Sequence, residues 1–416
     1  MVSTTLCVGV IGMYHSGIGG GGFMLVRDKH GRYETIDYRE TAPAAANQDM
    51  FEHDRNASVF GGLAVGIPGE LRGLEYLHRK YGDLVRYMKA ASIYNNTFLV
   101  DDPIWAEDFA PNAKSMIDFI QKMNGTMTLE DLEDYDVEVK PPLNVTYGDY
   151  RLFTTDAPSS GAVMLSTLKT MEQYPSEDLP HANLTTHRFV EAMKFAYGAR
   201  LRLGDPDFVK NITQYQASLL TNTTASTIRH RIFDNHTQPI EAYDPLGLYT
   251  PDSHGTSHIV TTDQSGLTIT STTTINLLFG AQIMTPDTGI ILNNEMDDFS
   301  QPGRHNAFGF APSPSNFIRP RKRPLSSITP LIAEHASNNT LFFATGAAGG
   351  SRIISATTQV AWNMLAHGMG MHDAVAWPRV HHQLMPDVVR VEEGWDKSVV
   401  EGLRERGMRW SGWGLG

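Results

Sequence analysis

The chain has a single cysteine, Cys7, among its 416 residues. One thiol excludes an intramolecular disulfide framework and any zinc site built on paired cysteines. Positive charge is also scarce: 34 Lys and Arg stand against 46 Asp and Glu, a formal charge of -12, which argues against nucleic acid as a partner. No apolar run is long enough to span a bilayer, and Leu6-Cys-Val-Gly-Val-Ile11 is too short and glycine-broken for a signal core. A targeting segment is therefore expected to lie ahead of this N-terminus. Heptads, low-complexity tracts and solenoid repeats are missing as well. So is a G-x-S-x-G nucleophile elbow, which leaves a serine hydrolase of the alpha/beta type without an anchor. Small-molecule chemistry becomes the default.

Acceptor sites for N-linked glycan are plentiful. Asn56, Asn95, Asn124, Asn144, Asn183, Asn211, Asn222, Asn235 and Asn338 each begin N-x-S/T. With 19 asparagines and 61 Ser or Thr, about three such sequons are expected by chance, so nine favour a secretory route to the cell surface, the exterior or a vacuole.

Length alone does not choose between one large domain and several. The pattern is mixed alpha and beta. Apolar and polar residues alternate over Phe23–Asp28 and Tyr33–Tyr38 around Lys29-His-Gly31, which predicts a hairpin. Ser257–Asp263 and Leu267–Thr274, joined by Gln264-Ser-Gly266, predict another. Helical periodicity marks Gly69–Tyr81, Ala113–Met123, Ala162–Tyr174, His187–Leu203 and Ile353–Ala366.

Several motifs invite a functional reading that their context weakens. Gly17-Ile-Gly19-Gly-Gly-Gly22 satisfies the dinucleotide fingerprint, with Asp37 at suitable spacing, yet it leads into a strand and not a helix N-terminus. Close backbone packing is the expected role. His254 and His258 would share a helix face at H-x-x-x-H spacing, but loop and strand surround them, so a metal is not expected. His381-His382 reads as ordinary polar packing. Arg319-Pro-Arg-Lys-Arg323 reads as a solvated loop.

Thr256 differs because of what precedes and follows it. The Pro-, Asp- and Gly-rich stretch from Tyr243 to Gly255 is a loop that delivers a strand opening with threonine. A threonine hydroxyl is a poor nucleophile, but on an N-terminal threonine the alpha-amino group can serve as its base. Exposing that amine requires cleavage between Gly255 and Thr256. Downstream come Thr272-Thr-Thr-Ile-Asn276, Gly289 to Ser300, Pro324-Leu-Ser-Ser-Ile328 and Gly346-Ala-Ala-Gly-Gly350. Upstream stand His15 to Gly22, Tyr38-Arg-Glu-Thr-Ala-Pro43, Ala64 to Glu70 and Gly204-Asp-Pro206. In this order they resemble the motifs of the gamma-glutamyltransferase family across most of residues 5–405.

The resemblance implies an α+β fold, the four-layered alpha-beta-beta-alpha sandwich of N-terminal-nucleophile hydrolases. It also implies a zymogen that cuts itself into residues 1–255 and 256–416, which stay together as one intertwined unit. Thr256 would be the nucleophile, oriented by Thr274, with Gly349 and Gly350 supplying oxyanion N–H groups. Arg39, Ser326 and Ser327 would hold the substrate carboxylate, and Asn276, Glu295 and Asp298 its ammonium. Substrates would be glutathione and other gamma-glutamyl compounds, with water, amino acids or dipeptides as acceptors, and neither cofactor nor metal is implied. Three departures from the family are expected: a shortened N-terminal helix around Leu6–Met13, an omission after Phe109-Ala-Pro-Asn112, and closing strands replaced by Trp410–Gly416. These raise the alternative of an uncut, inactive secreted binding protein.

Overall fold

In the computed structural model, residues 1–82, 103–251, 255–306 and 309–413 are described, with backbone alone for 103–112 and 413. Before the Gly255–Thr256 bond come α1 (Val2–Ile11), β1 (Gly21–Arg27), β2 (Tyr33–Asp37), α2 (Glu70–Tyr81), α3 (Pro103–Lys122), α4 (Leu129–Glu133), β3 (Glu138–Lys140), β4 (Leu143–Tyr147), β5 (Tyr150–Thr154), α5 (Gly161–Met171), α6 (Ala182–Arg200), α7 (Ile212–Leu219), α8 (Asn222–Arg231) and β6 (Leu248–Tyr249). After it follow β7 (Ser257–Thr262), β8 (Thr268–Thr274), β9 (Ala311–Pro312), β10 (Leu331–His335), β11 (Leu341–Thr345), α9 (Arg352–Leu365), α10 (Met371–Ala376), β12 (Val380–His381), β13 (Val389–Glu392), α11 (Lys397–Glu405) and β14 (Trp410–Trp413).

Two antiparallel sheets organise the molecule, β3-β2-β1-β8-β7 and β11-β10-β5-β4. Each takes strands from both sides of Gly255. Because strand side chains alternate between faces, β1 serves two layers at once. Met24 and Val26 pack outward against Leu74 and Leu77 of α2. Leu25 packs inward against Phe153 of β5 and Ile332 of β10, joining sheet to sheet. On the far side of the second sheet, Leu152, Leu331 and Phe343 meet Val163 and Leu168 of α5, Phe189 of α6 and Val360 of α9. Helix, sheet, sheet, helix is the resulting order. Burying each such Leu, Ile or Phe contributes about 1.5–3 kcal/mol.

Both hairpins form, and the five helices arise close to their expected places, although α3 starts ten residues before Ala113. Two expectations need correction. Lys322 and Arg323 are buried, not solvated: Lys322 Nζ donates to the carbonyls of Ser315 and Phe317 at 2.7 and 2.9 Å, and Arg323 pairs with Glu138 and lies 3.4 Å from Asp37. Their charges are used up inside the fold. The segment from Trp410, expected to fall outside the pattern, forms β14 and pairs parallel with β13. Around the N-terminal helix, Leu6, Val10, Ile11 and Met13 are exposed.

The glycines of residues 19–22 pack as their context suggests. A Cβ on Gly20 would sit 1.9 Å from the carbonyl oxygen of Thr274, and one on Gly22 2.1 Å from that of Thr272. Only glycine lets β8 approach this closely. Gly20→Ala is expected to destabilise the fold by about 3 kcal/mol or more, the upper range for overpacking, and urea denaturation would read it. A change below about 0.5 kcal/mol would contradict the close-packing account.

Candidate active site

Residues far apart in the sequence meet where the two sheets end. Thr256 immediately precedes β7, and Thr274 ends the neighbouring strand β8. Asn276 N–H donates to Thr274 Oγ1 at 2.8 Å, so the Thr274 hydroxyl proton is turned to the Gly255 carbonyl, 2.7 Å away. On the other side, Gly349 N–H donates to Thr256 Oγ1 at 2.9 Å. Gly349 and Gly350 have φ of 125° and 61°, a backbone path suited to glycine, and they lead directly into α9. The positive end of that helix lies on the side of Thr256.

Arg39 follows β2, and its backbone is fixed at both ends: its N–H donates to Asp37 Oδ1 at 3.0 Å, and its carbonyl accepts from Tyr135 at 2.8 Å. Its guanidinium pairs with Glu295 through Nη1 and with Asp298 Oδ2 at 2.5 Å through Nη2, while Glu40 stands 3.8 Å away. Burial opposes the charge on Arg39, but Glu295, Asp298 and Glu40 together outweigh it and hold the guanidinium protonated. Burial pushes Glu295 well above the usual carboxylate range, against the pull of Arg39. It pushes Glu40 to about 7. Three carboxyls facing one cation in a low-dielectric site cannot all stay ionised cheaply.

Ser326 and Ser327 complete the wall. Arg200 Nη2 donates to Ser327 Oγ at 3.0 Å, and Ser160 Oγ donates to the Ser326 carbonyl at 2.5 Å. One small pocket is thus bordered by Arg39, Thr256, Thr274, Asn276, Glu295, Asp298, Ser326, Ser327 and Gly350, with Gly255, Ile328 and Ile353 between them. Gly349 reaches it through Thr256. All ten expected site residues meet here, offering a threonine hydroxyl held by a backbone N–H, one cation and two carboxyls side by side.

Other singled-out residues lie elsewhere or have different work. His258 is half-buried with Nδ1 2.8 Å from Thr272 Oγ1 and Nε2 3.1 Å from Thr270 Oγ1, and desolvation pulls it down to about 4. Its ring abuts Gly346, where a Cβ would come within 2.2 Å. His254 lies outside the described residues. Among the described residues no three His, Cys, Asp or Glu side chains are grouped to hold a metal. His381 and His382 are buried; His381 Nδ1 is 2.7 Å from Ser355 Oγ, and His382 Nε2 is 3.2 Å from Asp387. Glu40 and Glu70 were given no role by the sequence, although both sit inside motifs that drew notice. Glu70 accepts from Thr273, next to Thr274, and is fully buried.

Known proteins resemble this chain in sequence and in fold. A family model described as Gamma-glutamyltranspeptidase matches residues 1–89 and 111–414. A glutathione hydrolase proenzyme of Arthroderma benhamiae is 45% identical over 453 aligned positions, covering 95% of this chain and 77% of that protein. A glutathione hydrolase of Aspergillus flavus is 41% identical, covering 98% and 78%. An alignment longer than this 416-residue chain means that the relatives carry internal residues without counterpart here. Among solved structures, a cephalosporin acylase from Bacillus halodurans superposes with a TM-score of 0.77 at 20% identity, over 99% of this chain and 83% of that one, a likeness of fold.

Burial pushes the Glu70 carboxyl from an ordinary 4.5 to about 8. A carboxyl whose folded-state pKa is raised binds its proton more tightly when folded, so stability falls as pH rises from about 4.5 to 8. Melting temperature should therefore decline across that window, and Glu70→Gln should decline less. Identical slopes would mean that Glu70 is ionised in the fold throughout.

Proposed function

The chain belongs to the gamma-glutamyltranspeptidase family, is an enzyme of it and has the N-terminal-nucleophile hydrolase fold; from that premise we propose a self-processing gamma-glutamyl hydrolase and transferase. In processing, Thr256 Oγ adds to the Gly255 carbonyl carbon, the carbon–nitrogen bond breaks, and the proton lost by the hydroxyl ends on the departing nitrogen, which becomes an amine. Water then cleaves the ester, leaving a Gly255 carboxylate and Thr256 with a free amine. The hydrogen bond from Thr274 to that carbonyl supports this step, because it polarises the bond under attack.

In turnover, the Thr256 amine, with an ordinary pKa of about 7.7–8, takes the hydroxyl proton. Thr256 attacks the gamma-carbonyl of glutathione or a conjugate, and the N–H groups of Gly349 and Gly350 hold the oxyanion. The Cys-Gly portion leaves as an amine, taking up the proton. Water releases glutamate from the acyl-enzyme, or an amino acid or dipeptide accepts the group. Arg39, Ser326 and Ser327 receive the donor's alpha-carboxylate, and Asn276, Glu295 and Asp298 its ammonium. The observation carrying this reading is the Thr256 hydroxyl, bound by Gly349 N–H, in one pocket with Arg39 paired to Glu295 and Asp298. Nucleophile, base and oxyanion donors are all protein groups, so the mechanism calls on no cofactor.

The two fragments would remain one heterodimeric unit, since both main sheets contain strands from each. The protein would travel the secretory route to the exterior, cell surface or vacuole. Of the eight sequon asparagines among the described residues, seven are exposed and Asn183 is half-buried, as glycan attachment requires.

Denaturing electrophoresis with N-terminal sequencing tests processing: the wild-type chain should yield a fragment beginning at Thr256, and Thr256→Ala should stay whole. An uncut wild-type chain would favour an inactive binding protein instead. In the mature enzyme, Arg39→Lys should raise the KM for a gamma-glutamyl donor roughly tenfold or more, because an ammonium cannot reproduce the guanidinium fork. An unchanged KM would remove Arg39 from donor binding. Protein secreted from a eukaryotic host should gain electrophoretic mobility on endoglycosidase treatment, and unchanged mobility would count against the secretory route.

A further inference from the structure

We propose that His15 positions the Gly255–Thr256 junction for its own cleavage, a role that rests on the self-processing reading and adds a residue to it. Four observations converge on this. Ser257, immediately after the nucleophile, is buried and places its hydroxyl 2.9 Å from His15 Nδ1 and 2.8 Å from Ser16 Oγ. Gly255, on the other side of the bond, packs directly on His15: a Cβ there would lie 3.5 Å from the histidine Cβ and 2.6 Å from the Asn276 carbonyl oxygen. The His15 carbonyl accepts from Ile275 N–H at 3.3 Å, which ties the same residue to the end of β8 beside Thr274. The Tyr14 ring lies edge-on to the imidazole, with centroids 4.1 Å apart, and limits its swing.

One residue near the start of the chain therefore touches both flanks of the bond to be cut. Thr274 and Gly349 address its carbonyl and its nucleophile. His15 fixes the direction from which the two approach, and attack on a carbonyl is sensitive to such alignment. After cleavage the Gly255 contact has no further part in the chemistry. Substrate turnover should then depend on His15 much less than processing does.

The test compares His15→Leu, which loses the bond to Ser257, with His15→Asn, whose amide can replace Nδ1. The rate at which purified precursor converts to fragments is followed by electrophoresis, and turnover of a gamma-glutamyl anilide is measured per cleaved subunit. His15→Leu should process roughly tenfold or more slowly, His15→Asn should recover much of the rate, and turnover per cleaved subunit should change by less than about threefold. Equal processing in all three chains would overturn the proposal. So would a matched loss of processing and turnover in His15→Leu, which marks general damage to the fold. A wild-type chain that never cuts would instead sink the self-processing reading, and this proposal with it.

Discussion

The pairing of β1 with β8 is the constraint from which the rest of the molecule follows. It joins a glycine-led strand near the start of the chain to the threonine-rich strand that follows Thr256 and β7, in register from Gly21↔Thr274 to Arg27↔Thr268. Glycines 20 and 22 let backbone meet backbone without intervening side chains. That contact puts Thr274 at the sheet end, brings β7 and Thr256 beside it, and leaves Arg39 just past β2 on the opposite flank. Cutting the chain at Gly255 would not loosen this arrangement, because the cut lies outside the sheet whose strands it would separate.

The pocket concentrates charge in a place where charge is expensive. Arg39 with Glu295 and Asp298 is buried almost completely, and breaking such a set by removing one partner ordinarily costs several kcal/mol. For stability alone an apolar cluster would serve as well or better. The arrangement makes sense as a site for a zwitterion, in which an alpha-carboxylate takes over the guanidinium and an ammonium takes over the carboxyls. Burial raises the pKa values of Glu40, Glu70 and Glu295, and the charge of Glu40 adds to the shift at Glu70 and Glu295. They also make the region sensitive to pH.

Much of this was legible from the residues because two local periodicities are strong. Both hairpins and the cores of all five anticipated helices follow from apolar spacing, and the strand into which the glycines lead argued against a dinucleotide site. The site itself was not legible from spacing. Its members come from six separate segments, and only the family resemblance brought them together. Arg319 and Arg321 face water as a run of like charge ordinarily does, but Lys322 and Arg323 do not; Asp37 and Glu138 compensate Arg323, and backbone carbonyls receive Lys322. Those partners are distant in sequence. Glu70 and His15 stand inside the motifs of that resemblance, yet no periodicity distinguishes a carboxyl that accepts from Thr273, or a histidine beside Ser257, from an ordinary surface residue.

The measurement that bears most directly on the account is mass spectrometry of the Thr256-bearing fragment, quenched in acid during turnover of a gamma-glutamyl donor. The account predicts that a fraction of the fragment gains the mass of one gamma-glutamyl group, carried on the peptide beginning at Thr256 and lost when acceptor is added before the quench. Turnover with no such adduct, or an adduct on any other residue, would contradict it.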